Sequence, residues 1–114
     1  MAINSKDKGK RGERMCAAKM REYGYEARRG IQYQGSPDSP DVVGVPGMHI
    51  EVKYTEKLRL WDAMEQSIRD SGADEIPVVM HKKNNSEWLC ILRLDDFMPI
   101  YAEWEVGRES EEQN

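Results

Sequence analysis

The chain has 114 residues with 17 basic and 21 acidic side chains, a formal charge of −4, and 39% apolar residues. That length holds one domain around one hydrophobic core. No apolar run approaches the roughly 18 residues of a membrane-spanning helix, and the opening MAINSKDKGKRGER lacks a signal peptide's apolar stretch, so no membrane association is expected. Cys16 and Cys90 are too few for a disulfide framework and point to a reduced, cytoplasmic setting.

The net charge hides a split. Residues 1–60 carry +4 and residues 61–114 carry −8, and the first 35 residues hold 9 basic against 4 acidic groups. A basic start opposite an acidic remainder is one form a nucleic-acid surface takes, although solvated helix faces produce the same asymmetry.

In chain order, the first predicted element is a helix from Asp7 to Tyr23, where Cys16, Ala17, Met20 and Tyr23 recur at helical spacing and Gly24 supplies the stop. Glu26–Gln34 alternates like a strand, and Gly35-Ser36-Pro37-Asp38-Ser39-Pro40 reads as a loop. Asp41–Gly44 and Met48–Tyr54 flank Pro46-Gly47 as a hairpin. Leu60, Met64 and Ile68 predict a second helix over Leu60–Ser71, closed by Gly72. Ile76–Lys82 and Trp88–Arg93 are further strands around an Asn84-Asn85-Ser86 turn. Leu94–Trp104 predicts a last helix, with Asp95 and Asp96 near its positive end. The domain is expected to span 1–106, and 107–114 to be a frayed acidic tail. The order αβββαββα is that of a single mixed-sheet α/β domain.

The segment Ser39–Lys53 places Asp41, Glu51 and Lys53 on an otherwise apolar hairpin, where charge is costly unless paired or bound to metal. Alternation puts His49, Glu51 and Lys53 on one face, and Met48, Ile50 and Val52 on the other. A two-residue turn would pair position 42 with 51 and separate Asp41 from Glu51. A three-residue loop, Val45-Pro46-Gly47 with a left-handed glycine, pairs 42 with 50 and sets Asp41 opposite Glu51. It also gathers Val42, Ile50 and Val52 on the apolar face. Opposed carboxylates repel unless a cation lies between them, and Mg²⁺ suits oxygen ligands beside phosphate. Lys53 would offset charge developing on a phosphate, so the chemistry is phosphodiester hydrolysis.

Pro40-Asp41, nine residues, then Glu51-Val52-Lys53 resembles the PD-(D/E)XK signature of a nuclease superfamily. Gly9-Lys10-Arg11-Gly12-Glu13-Arg14 resembles the helix start of archaeal-type Holliday junction resolvases and related phage proteins. The resemblance implies a restriction-endonuclease-like domain in which Glu13, Asp41 and Glu51, with Val52 beside them, hold Mg²⁺, and in which Mn²⁺ substitutes. It implies Lys53 as the catalytic lysine and a supporting role for Gln66. Asp38 stands where those resolvases have a serine. Glu13 shares its helix face with Cys16, Ala17 and Met20, so it is expected to point toward the sheet.

Lys8, Lys10, Arg11, Arg14, Arg28, Arg29 and Lys57 are the expected phosphate contacts on branched DNA, although strand alternation lets at most one of Arg28 and Arg29 reach the active face. Cutting both strands of a four-way junction needs two sites, so a twofold homodimer is expected. A nuclease for other branched or linear DNA, or a non-catalytic DNA-binding module, are the alternatives. His49 is expected at the rim of the site. His81 and the cysteines lack metal-ligand spacing, and Trp61, Trp88 and Trp104 are expected in the core or a subunit interface.

Overall fold

The computed structural model describes residues 5–30 and 39–112. Its elements are α1 (Ser5–Glu22), β1 (Arg28–Arg29), β2 (Val42–Val43), β3 (Met48–Tyr54), α2 (Leu60–Asp70), β4 (Ile76–Lys82), β5 (Leu89–Ile91) and α3 (Leu94–Glu112), the order read from the sequence. The strands form one sheet in the spatial order β1-β2-β3-β4-β5. Neighbours are antiparallel except β3 and β4, which are parallel. A parallel pair requires a crossover, and α2 supplies it.

The β2–β3 hairpin has the three-residue loop. Val42 pairs with Ile50, the Met48 N–H donates to the Val45 carbonyl at 3.3 Å, and Gly47 takes a φ of +82° that its missing Cβ permits. Val42, Ile50, Val52, Val78 and Met80 then share one face and pack under Cys16 and Ala17 of α1. Val79 points the other way and packs under Ala63 and Met64 of α2. The sheet is therefore covered on both faces, and β3 and β4 lie at its centre. Gly12 sits inside α1, where glycine weakens a helix by about 1 kcal/mol relative to alanine. A Cβ there would lie 2.5 Å from Tyr54 Cβ, so the glycine is what lets α1 approach β3.

Several boundaries differ from expectation. Helix α1 begins at Ser5 and ends at Glu22, and Tyr23 is exposed because the chain turns at Gly24, with φ +94°. The strand expected over Glu26–Gln34 is only Arg28–Arg29 among the described residues; 31–34 and the loop portion 35–38, Asp38 included, lie outside them. The expected closure of α2 at Gly72 falls instead at Ser71, whose extended backbone ends the helix, and the Gly72 N–H donates to Glu75 Oε1 at 2.7 Å. The stretch expected to fray after Gly107 continues α3 as far as Glu112. Helix-forming glutamates and the Arg108–Glu112 pair one turn apart support it. No residue of α3 is buried. Trp88 packs against the core, whereas Trp61 and Trp104 are exposed. Among the described residues no helix is long and apolar enough to cross a membrane. Both cysteines are free, Cys16 buried and Cys90 exposed.

Candidate functional site

Strand β3 outruns its partner β2, and the place where the pairing stops defines the site. The Asp41 N–H still donates to the Ile50 carbonyl at 2.8 Å, but the next ladder donor, the Val52 N–H, donates at 2.8 Å to Asp41 Oδ2. A carboxylate has replaced a backbone carbonyl in the ladder. Strand N–H groups point along the sheet plane, so the Asp41 carboxylate is held at the sheet margin, reachable from both faces.

From the α2 side comes Glu51. Its neighbour across the parallel ladder is Val79, and it is 2% exposed. Burial, and then the charge of Asp41 and a hydrogen bond to it, push the Glu51 carboxyl up to about 8; Lys53 acts weakly in the opposite sense. At neutral pH the Glu51 carboxyl therefore keeps its proton. From the α1 side comes Glu13, whose position one turn before Cys16 and Ala17 turns it inward as expected. Burial and then Asp41 raise its carboxyl too, against the lowering effect of Arg29. Arg29 Nε stands 3.4 Å from Glu13 Oε1. Of the two arginines of β1, Arg29 therefore faces the site and Arg28 is exposed.

Lys6, Lys10, Glu13, Arg29 and Asp41 line one open cleft of about 300 Å³, and Pro40 and Gly30 complete it. The basic N-terminal segment is thus beside the carboxylates. Lys8 Nζ lies 4.8 Å from the centre of the Tyr54 ring on β3, a cation–π contact on the same helix. Arg11 and Arg14 are exposed along α1. Lys53 and Gln66 open onto a second cleft of about 430 Å³ on the α2 side, with Lys57 and Arg59 at its walls. The expected residues are therefore distributed about Asp41 rather than gathered on a single face.

Two expectations need correction. His49 is not a rim residue: it is 1% exposed, because α2 covers the polar face of β3. Its Nε2 is 3.4 Å from Glu51 Oε1, and its Nδ1, 3.6 Å from Glu75 Oε1, has no hydrogen bond. Nor do Glu13, Asp41 and Glu51 form one set: among the described residues no three His, Cys, Asp or Glu side chains converge closely enough to hold a metal ion. Arg29 engages Glu13 on the far side of Asp41, which leaves the Asp41–Glu51 pair. That pair offers oxygen ligands of the kind a divalent cation takes, and Glu51 would release its proton to such an ion. Val52, expected beside the ligands, contributes its N–H to Asp41.

Sequence reasoning missed Ser67. It is fully buried, accepts the Val78 N–H at 3.1 Å, and sets its hydroxyl 3.1 Å from the His49 carbonyl and 3.3 Å from that of Val78. It fastens α2 across β3 and β4 behind Glu51. A serine inside an apolar helical stripe was the only available signal. His81 Nε2 donates to the Thr55 carbonyl at 2.9 Å. Set against known protein families, curated proteins and solved structures, the chain matches none.

Proposed function

We propose that this chain is a metal-dependent endonuclease that hydrolyses DNA phosphodiester bonds, acts in the cytoplasm as a homodimer, and takes a four-way junction as its substrate. The observation that carries the reading is the Asp41–Glu51 pair at the end of the β2 ladder, with Glu51 raised to about 8 by burial and by Asp41. An acidic pair of this kind is unfavourable in isolation and useful around a cation. Mg²⁺, or Mn²⁺ in its place, would when bound there polarise a water and the scissile phosphate.

The protein's own groups do the rest. The Val52 N–H fixes one oxygen of Asp41 and leaves the other available. Glu51 gives up its proton on loading. Lys53, on the same strand face as Glu51, brings a positive charge to the phosphate as negative charge develops. Lys8, Lys10, Arg11, Arg14 and Arg28 along α1 and β1, and Lys57 at the other cleft, hold backbone phosphates and position the DNA without reading its sequence. One chain has one such site and a junction has two strands to cut, which is the case for two copies.

The test is cleavage of a synthetic four-way junction with Mg²⁺, beside flap, nicked and linear duplexes. Loss of about a hundredfold or more in Lys53→Ala and Glu51→Ala is expected. Undiminished cutting by either variant would refute the site, equal cutting of linear duplex would refute the junction as substrate, and salt-sensitive binding without hydrolysis would leave only a DNA-binding module.

A further inference from the structure

The surface with no role in this chemistry is the apolar side of the last helix. Trp61 on α2, with Leu94, Phe97, Met98, Tyr101 and Trp104 on α3, are between 38% and 78% exposed. At about 200 Å² per large side chain, those fractions leave on the order of 650 Å² of apolar surface in contact with water. The largest apolar patch on an ordinary monomer is about 300–600 Å², and a standard interface takes about 800 Å² from each partner. The α3 residues recur at positions 94, 97, 98, 101 and 104, one stripe over the helix's first three turns. Phe97, Tyr101 and Trp104 stack along it, with ring centres 6.2 and 5.6 Å apart.

Beside the start of α3 lies an open apolar groove of about 440 Å³, walled by Trp61, Met64, Ile68 and Ile91, with Leu94 at its rim. The helix begins at that rim and leads away from it: at 1.5 Å per residue it is about 28 Å long, no residue of it is buried, and the molecule measures 58 × 32 × 27 Å. It does not fold back into its own groove. Charge bears on the occupant as well. Residues 94–112 carry seven acidic groups and one basic group, while the groove's own charged lining is one of each sign, Glu65 and Arg93. Two α3 helices side by side would bring those acidic groups together.

We infer that the occupant is a second copy of this chain, paired by reciprocal exchange: the apolar stripe of each α3 seats in the groove between α2 and β5 of the other copy. A twofold operation makes the two contacts identical and closes the pair. This deepens the dimer of the proposed function by giving it a surface, but it is carried by the apolar face and the charges alone.

The experiment is sedimentation equilibrium of the full chain across low to high micromolar concentration, in EDTA and without DNA. The wild type is expected at twice the chain mass. Trp61→Glu in the groove and Trp104→Glu on the helix should each give monomers with unchanged far-ultraviolet dichroism, since both side chains are exposed. Mixed together, the two variants should regain a dimer, because one intact stripe can still seat in one intact groove. A monomeric wild type, dimers that persist in both variants, or a mixture that stays monomeric would each overturn the exchange, the last favouring stripe against stripe. A dimer that cuts no DNA would leave this inference standing and remove only the nuclease reading.

Discussion

Replacing Glu51 by glutamine should make the metal-free protein's stability less dependent on pH. The Glu51 carboxyl is raised from 4.5 to about 8 in the folded protein, first by burial and then by Asp41. Between those values the folded chain holds a proton that the unfolded chain has released. Stability from this group is therefore fully present below about 4.5 and is lost as pH rises through about 8. At about 1.4 kcal/mol per unit, the shift sets a ceiling of about 5 kcal/mol. Local relaxation and water entry reduce it, so a loss of a few kcal/mol is expected. The assay is urea unfolding in EDTA from pH 5 to pH 9, on wild type and Glu51→Gln. The wild type should lose stability across the interval, and the variant, which cannot ionise there, should lose much less. Mn²⁺ should stabilise the wild type more at pH 8 than at pH 5, because loading displaces the Glu51 proton. Wild-type stability that is flat or rising over this interval, relative to the variant, would refute the raised Glu51 carboxyl beside Asp41.

Other outcomes follow from the same geometry. Ser67→Ala should cost about 1–3 kcal/mol in urea unfolding, because the buried Val78 N–H loses its acceptor. Gly12→Ala should destabilise by about 1–3 kcal/mol despite alanine's better helix propensity, since its Cβ would lie 2.5 Å from Tyr54 Cβ; a thermal midpoint at or above wild type would show that α1 can move aside. Lys10→Gln should lower the slope of log affinity against log salt for junction DNA by about one unit, with little change in preference among DNA shapes. His49→Ala leaves Glu51 without its nearest polar neighbour on the strand and opens a space under α2. It should lower stability by about 2–4 kcal/mol, read from chemical unfolding, and His49→Gln should restore part of the loss.

Much of this arrangement is legible in the residues alone. The αβββαββα order follows from local periodicity and from turn residues such as Gly24 and Pro46-Gly47. The hairpin register follows from a demand the sequence makes on itself: only pairing position 42 with 50 sorts Val42, Ile50 and Val52 from His49, Glu51 and Lys53. It thereby opposes Asp41 to Glu51 before any coordinates exist. The inward turn of Glu13 likewise follows from its place one turn before Cys16 and Ala17.

What needed the tertiary structure is which faces are covered and how far each group reaches. Nothing local to His49 records that α2 crosses over it; the burial is created by a helix some twenty residues away, joining two parallel strands. The separation of Glu13 from Glu51 is of the same kind, since they approach Asp41 from opposite faces of a sheet whose margin is set by the shortness of β2. The role of Ser67 appears only when α2 meets the backbone of β3 and β4. The apolar stripe of α3 is written plainly in the sequence, but its exposure is not: periodicity marks a face that wants covering, and only the packed structure shows that this chain leaves it uncovered.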